Sequence, residues 1–150
     1  MARVALPRPE NTTDPAIDEI FAWVTEMEGS VPNHFFVELN FPEFFVAKLG
    51  ATKVLWQMGE LSMDEIQRVG ILVSQANGCA YCTAAFCTIL NFGLGTAEDD
   101  VAALLKEGLE TTDDDRLKAI LTYALQVNSA PAAVTDLQVR ALRDCGLTDK

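Results

Sequence analysis

The chain has 150 residues, a length that favours one domain whose core is large enough to fold without disulfides or a metal. Its 22 acidic residues outnumber its 11 lysines and arginines, which gives a formal charge of −11. Nucleic acids and anionic membranes select basic surfaces, so neither is an expected partner. The hydrophobic fraction of 49% is high for a lone domain and predicts a homo-oligomer.

No segment approaches the roughly 18 apolar residues that a membrane span needs. The first ten residues, MARVALPRPE, contain two prolines and no apolar run like that of a secretory signal. We therefore expect a cytoplasmic protein in a reducing compartment. Paired cysteines in such compartments are more often catalytic or metal-binding than structural.

Helix signals recur along the chain after an irregular arm at residues 1–13. The first helix is predicted to start at Asp14-Pro15 and to stop at Gly29. Apolar residues at helical spacing predict its buried face, and they are Ile17, Ile20, Phe21 and Val24.

Two further helices are predicted in the next part of the chain, a short one capped by Asn33 and a longer one that opens at Pro42. The longer helix has Phe45, Leu49 and Trp56 on one face. A group of aromatic residues in this part predicts core or subunit interface, and it comprises Phe35, Phe36, Phe41, Phe44 and Phe45.

Ser62 and Glu65 predict a capping box that begins the next helix, which runs to about Asn77-Gly78. Its predicted buried face carries Ile66, Val69 and Val73. A cysteine-containing helix then runs to Gly93.

The last three helices are predicted to be capped by Thr96, Thr112 and Thr135, and the final one has Leu137 inside. No segment alternates with period two. The predicted fold is therefore all-α, a single-domain multi-helix bundle over residues 14–150.

The stretch NGCAYCTAAFC at residues 77–87 carries the clearest chemical signal. Cys79 and Cys82 are three residues apart and lie on one face of a helix. They sit near its start, where unpaired N–H groups and the helix dipole favour a thiolate. This arrangement is typical of a redox pair, although C-x-x-C alone has limited specificity.

The cysteines have two other interpretations. A zinc site needs four ligands, and only Cys87, Cys145 and His34 remain, with Cys87 turned about 140° from Cys82 on an ideal helix. Inert buried cysteine fits Cys87 and Cys145 well. We expect neither a metal nor a cofactor. For His34, a partly exposed residue near a helix start is favoured over a base that serves the cysteines.

Residues 61–86, LSMDEIQRVGILVSQANGCAYCTAAF, resemble the core of the carboxymuconolactone decarboxylase and alkyl hydroperoxidase D-like family. The shared features are the LS start, an apolar helix that ends in NGC, and C-x-Y-C at the start of the next helix. The resemblance implies an all-helical subunit that assembles into trimers or hexamers.

In redox members of this family, the second cysteine attacks a hydroperoxide and the first resolves the sulfenic acid as a disulfide, which an external dithiol then reduces. The resemblance assigns these catalytic roles to Cys82 and Cys79. It also implies a proton relay, with a glutamate twelve residues before the first cysteine and a histidine four residues after the second.

This chain departs from the family at both relay positions, where it has Gln67 and Phe86. Neither side chain transfers protons at neutral pH, and the local helix position favours Cys79 as the thiolate while the resemblance favours Cys82. The resulting hypothesis is a thiol-dependent, alkyl hydroperoxidase-like oxidoreductase with weakened peroxidase activity. The alternatives are a non-catalytic helical oligomer that binds a small apolar ligand or partner, and a decarboxylase or lactone-processing enzyme.

Overall fold

The computed structural model describes residues 3–7 and 13–149, which form eight α-helices and no β-strand. The all-α prediction is therefore confirmed. Of the predicted arm at residues 1–13, only residues 3–7 and 13 are described, and they carry no helix. The helices are α1 (Pro15–Glu28), α2 (Asn33–Glu38), α3 (Pro42–Met58), α4 (Met63–Ala76), α5 (Ala80–Thr88), α6 (Glu98–Glu107), α7 (Asp115–Ser129) and α8 (Asp136–Asp144).

The chain divides into two compact units, Met1–Met58 and Gly59–Lys150. The single domain over residues 14–150 that the sequence suggests stays a prediction. Within the described residues, no helix is both long enough and apolar enough to cross a membrane.

The first unit is built on α1, and its predicted boundaries are confirmed. The Asp14 carboxylate accepts a hydrogen bond from the backbone N–H of Ala16, and Gly29 ends the helix with a φ of 76°. That backbone conformation favours glycine because it has no Cβ. The four residues predicted on the inner face of α1 are all buried.

Aromatic rings join α1 to the other helices of this unit. The Phe21 ring lies 5.7 Å from the Phe45 ring and 6.0 Å from the Phe36 ring, between centroids. The predicted cap of α2 is wrong: Pro32 holds the N-cap position, and Asn33 is the first helical residue.

The core of the second unit lies between α4, α6, α7 and the residues that follow α5. It contains Ile71, Leu72, Leu90, Val101, Leu104 and Leu121. The capping box of α4 is confirmed, since the Glu65 N–H donates to Ser62 Oγ at 3.2 Å and the Ser62 N–H donates to Glu65 Oε2 at 2.7 Å.

The prediction of the buried face of α4 is wrong, because the most buried residues lie about one position further along the helix than those predicted. Ile66, Val69 and Val73 are half-buried, whereas the deeply buried residues of this helix are Gln67, Ile71, Leu72 and Ser74. Two polar residues, Gln67 and Ser74, thus occupy core positions, which apolar spacing does not predict.

Two of the three later caps also differ from the prediction. Ala97, and not Thr96, holds the N-cap position of α6. Asp114 caps α7, because its carboxylate accepts hydrogen bonds from the N–H groups of Arg116 and Leu117. Thr112 Oγ1 accepts a hydrogen bond from the Asp114 N–H. The Thr135 cap of α8 is confirmed as a capping box. Leu137, predicted inside, is instead 72% exposed.

Candidate redox site

Cys79 and Cys82 form a disulfide at the start of α5, with their Cα atoms 5.4 Å apart. Cys79 is the N-cap residue, so the helix begins two residues later than the sequence suggests. The Cys79 sulfur accepts a hydrogen bond from the Cys82 N–H at 3.3 Å. The geometry shows that these two sulfurs reach each other across the first turn of one helix.

Backbone hydrogen bonds hold Cys79 in place. Its N–H donates to the Ser74 carbonyl at 2.9 Å, and its own carbonyl accepts from the N–H and hydroxyl of Thr83 at 3.0 and 2.9 Å. Gly78, with a φ of 66°, makes the turn between α4 and this anchor. None of these bonds involves the cysteine sulfurs, so the position of Cys79 does not depend on the disulfide.

A second anchor ties the loop before Cys79 to the end of α7. The amides of Asn77 and Asn128 exchange two hydrogen bonds, with N···O distances of 2.9 and 3.1 Å. The pair is therefore carried by α5 and supported by both α4 and α7.

The two relay positions of the family hold residues that do not ionise. Gln67 is fully buried, and neither its amide nitrogen nor its oxygen has a hydrogen-bond partner among the described residues. A Cβ built on Gly70, one turn further along α4, would lie 2.6 Å from the Phe86 ring. The Phe86 ring is thus packed directly on the α4 backbone.

The remaining cysteines lie apart from the pair. Cys87 and Cys145 are half-buried free thiols, and burial raises the pKa of Cys87. No group of three residues suited to a metal occurs in the described part of the chain.

His34 lies in the first unit, whereas the cysteine pair belongs to the second. It is exposed at the start of α2, and its ring centroid lies 4.1 Å from that of Phe35. Partial burial lowers its pKa, an effect that the nearby Glu38 carboxylate opposes and the Lys48 ammonium reinforces. The predicted position of His34, a partly exposed residue near a helix start, is borne out, whereas its having no role beside the cysteines stays a prediction.

An open cavity of about 320 Å³ lies beside Cys87. Its wall includes a π-helical turn, Ile89–Gly93, that continues α5 and was not predicted from the sequence. Such turns often occur at functional sites. The residues that line the cavity are Cys87, Thr88, Asn91, Phe92, Glu98, Val101, Ala102 and Leu105.

The packing role of Gly70 has a signal in the sequence. An isolated glycine inside a strong helical pattern often has a packing reason, and here that reason is the Phe86 ring. The orphaned amide of Gln67 had no such signal, because its burial depends on the packing of the whole second unit.

Solved structures with the same fold are known. The apo debrominase Bmp8 matches with a TM-score of 0.81 and 19% identity, over 99% of this chain and 78% of that one. A Bmp8 variant in complex with 2,3,4-tribromopyrrole matches with a TM-score of 0.80 and 18% identity, again over 99% of this chain and 78% of that one. An uncharacterized peroxidase-related protein from Silicibacter sp. TM1040 matches with a TM-score of 0.78 and 21% identity, over 99% of this chain and 76% of that one.

At these identities, the likeness establishes the fold alone. No curated protein matches the sequence. The model of one family does match, over residues 42–126, which run from the start of α3 into α7 and include the cysteine pair with both relay positions. Because this match covers more than half of the chain, the chain belongs to the carboxymuconolactone decarboxylase family.

Proposed function

We propose that the protein is a thiol-dependent oxidoreductase of the alkyl hydroperoxidase-like type. In this proposal, Cys79 and Cys82 reduce a hydroperoxide to an alcohol and become a disulfide, which an external dithiol reduces again. The observation that carries the proposal is the disulfide-bonded pair on the first turn of α5, held there by α4 and α7. The peroxidase-related structural neighbour agrees with it.

We expect the activity to be weak, because a positioned proton donor or acceptor typically contributes about 10²–10⁴ in rate. Gln67 and Phe86 supply neither. The uncharged, apolar surroundings of the relay positions are the reason why the activity is expected to be slow.

The test is steady-state reduction of cumene hydroperoxide with dithiothreitol as the reductant. Activity should fall in Cys79→Ser and in Cys82→Ser. The Cys87→Ser variant is the matched control, because this thiol is on the same helix but outside the pair, and it should retain activity. Equal activity in all four proteins, or none in the unmodified chain, would contradict the proposal.

A second candidate function is the binding of a small apolar ligand without turnover. The cavity beside Cys87 and the π-helical turn favours it, since both apolar and polar side chains line that cavity. The Bmp8 complex makes 2,3,4-tribromopyrrole a reasonable ligand to try. This candidate would be favoured if calorimetry detects binding of that ligand and the cysteine pair becomes oxidised without catalytic reduction of peroxide.

A decarboxylase or lactone-processing function has less support. The family resemblance implies that the decarboxylase branch works with histidine and acidic residues, and the single histidine, His34, lies outside the matched residues 42–126.

A further inference from the structure

The two sulfurs of the pair occupy different positions on α5. Cys79 is the N-cap, and its sulfur accepts the Cys82 N–H. Cys82 is the third residue of the helix, and its own N–H is already committed to Cys79. One backbone donor of the first turn, the Cys82 N–H, is therefore directed at the Cys79 sulfur, and none is directed at the sulfur of Cys82 among the hydrogen bonds of the described residues.

This position favours a thiolate on Cys79 after reduction. A sulfur anion gains a charge-assisted hydrogen bond from the N–H and a favourable interaction with the positive end of the helix dipole. The backbone bonds from Ser74 and Thr83 hold the N-cap geometry without help from the disulfide. The same N–H is consequently available to the sulfur in the dithiol state.

The surroundings of Cys82 offer no comparable support. Phe86 lies one turn further along α5 and packs on Gly70, so the face of the helix that carries Cys82 continues into an apolar contact. Gln67, at the other relay position, is buried and uncharged. An anion at Cys82 would lack the base that the family relay supplies.

The start of α5 is open to water, although Cys79 and Cys82 are themselves both half-buried. The residues that flank Cys79, which are Asn77, Gly78, Ala80 and Tyr81, are all exposed. Cleavage of the O–O bond of a hydroperoxide releases an alkoxide that must take up a proton. At the exposed start of α5, water can supply that proton, so attack from this sulfur does not depend on the missing relay.

We infer that Cys79 is the attacking thiol and Cys82 the resolving thiol, the reverse of the roles that the family resemblance implies. This inference rests on the proposed function and assigns the roles within it. In the first step, the Cys79 thiolate takes the terminal oxygen of the hydroperoxide, and the departing alkoxide takes a proton from water. Cys79 becomes a sulfenic acid.

In the second step, the Cys82 thiol loses its proton and attacks the Cys79 sulfur. The S–O bond breaks, hydroxide leaves and is protonated to water, and the Cys79–Cys82 disulfide forms. Each cycle transfers two electrons from the thiol pair to the peroxide, and an external dithiol returns them.

The role assignment is tested with Cys82→Ser and Cys79→Ser, each carrying one thiol of the pair. Serine is a favoured N-cap residue, so Cys79→Ser keeps the start of α5. The fully reduced proteins are pulsed with iodoacetamide between pH 5 and 10, and each cysteine is followed by peptide mass spectrometry. Cys87 and Cys145 serve as internal reference thiols in the same samples.

We expect Cys79 to react with a pH midpoint below about 8.5, the value of an unperturbed thiol, and Cys82 with a midpoint at or above it. Cys79 should be alkylated at least several-fold faster than Cys82 at pH 7. Equal midpoints, or a lower midpoint for Cys82, would overturn the assignment. Should a variant fail to fold, the first site alkylated in the reduced unmodified protein decides the same question.

Trapping of the sulfenic acid provides the second readout. With cumene hydroperoxide and dimedone, the Cys82→Ser protein should carry the label on Cys79, and the Cys79→Ser protein should carry little on Cys82. Labelling mainly on Cys82 would overturn the assignment. The alkylation midpoints need no peroxide, so absent peroxide turnover would count against the proposed function and leave the order of the two thiols to be decided separately.

Discussion

The side-chain amide of Gln67 lies where solvent is fully excluded, with no hydrogen-bond partner among the described residues. An unsatisfied buried polar group costs roughly 1–3 kcal/mol of stability. A glutamate at the same position would cost more if unpaired, because burial disfavours its charged form. Position 67 therefore suits a charged side chain only when a neighbouring side chain can pair with that charge, and Phe86 cannot.

Restoring the relay should supply that partner. Phe86→His together with Gln67→Glu places a base one turn after Cys82 and a carboxylate on the facing helix. We expect peroxidase turnover to rise by up to about 10²–10⁴, the usual contribution of positioned acid–base groups. The dimedone label should move towards Cys82, because that thiol now has a base.

The single variant Gln67→Glu is the control for this prediction. It should lose stability in urea unfolding and gain no activity, and adding Phe86→His should recover part of the loss. A folded double variant whose turnover and labelling site are unchanged would show that this pocket serves another purpose.

Contact between α4 and α5 depends on the absence of a side chain at Gly70. A Cβ there would lie 2.6 Å from the Phe86 ring, too close for a carbon–carbon contact. We expect Gly70→Ala to lower the free energy of unfolding by about 1–3 kcal/mol, since overpacking outweighs the better helix propensity of alanine.

Gly50 provides the matched control, because it is also inside a helix and a Cβ at this position would meet nothing within 4 Å. Gly50→Ala should raise the free energy of unfolding by up to about 1 kcal/mol, the helix-propensity difference. Adding Phe86→Leu should rescue Gly70→Ala. Urea denaturation measures all of these, and equal effects at Gly50 and Gly70 would refute the close contact.

The start of α7 is tied to the start of α4 through Arg116 and Glu65, whose side chains are 2.7 Å apart. Arg116 also donates to the carbonyls of Glu60 and Cys145. Burial tends to raise the pKa of Glu65, but hydrogen bonds from Arg116 and from Ser62 outweigh it and hold the pKa below the usual 4.5.

Because the folded pKa of Glu65 is lowered, its ionised form stabilises the fold above pH 4.5, and this contribution is lost as the pH falls through the lowered value. Glu65→Gln should thus cost about 1 kcal/mol near pH 7. The difference from the unmodified protein should shrink below pH 4.5. Glu107→Gln, at an exposed ion pair, is the control in the same urea unfolding experiments and should change the free energy of unfolding at pH 7 by no more than about 1 kcal/mol. A cost for Glu65→Gln that is independent of pH would contradict this account.

The helices that could be predicted from sequence are those whose signals are local. Asp14, Ser62 and Thr135 each cap a helix through their own neighbours, so their side chains specify the start. Thr96 and Thr112 carry the same type of signal, yet Ala97 and Asp114 hold the N-cap positions, and it is the Asp114 carboxylate that accepts the first N–H groups of α7.

The candidate site shows the same division. Two cysteines three residues apart predicted the disulfide, whereas the position of Cys79 outside the helix depends on the turn at Gly78. The burial of Gln67 and the ring of Phe86 against Gly70 are contacts between helices, and apolar spacing within one helix does not contain them.

At the scale of the whole molecule, α3 and the residue before it present apolar side chains to solvent. Phe41, Phe44, Leu55 and Met58 are 54–67% exposed, and the rings of the first two are stacked 6.0 Å apart. Phe44, Leu55 and Met58 fall within about 60° of one another around an ideal helix. We propose that copies of the chain associate through this face, since a patch of exposed apolar residues marks an interaction surface.

Light scattering at micromolar concentration should then give a mass that is a multiple of 16.4 kDa, with a trimer or hexamer as the expected assembly. Leu55→Glu should reduce that mass. Gln57→Glu adds the same charge on the opposite side of α3 and should leave it unchanged. A monomer in the unmodified protein, or equal effects of the two variants, would contradict the proposal.

The central claim, that Cys79 and Cys82 act as a reversible redox couple, is tested most directly by counting thiols through one cycle. The fully reduced protein, with four cysteines, is treated with one equivalent of cumene hydroperoxide, alkylated and mapped by mass spectrometry, and a parallel sample is reduced with dithiothreitol before alkylation. We expect Cys79 and Cys82 to become linked, Cys87 and Cys145 to remain free, and dithiothreitol to restore all four thiols. Four free thiols after the peroxide, or a bond from Cys82 to Cys87, would contradict the account.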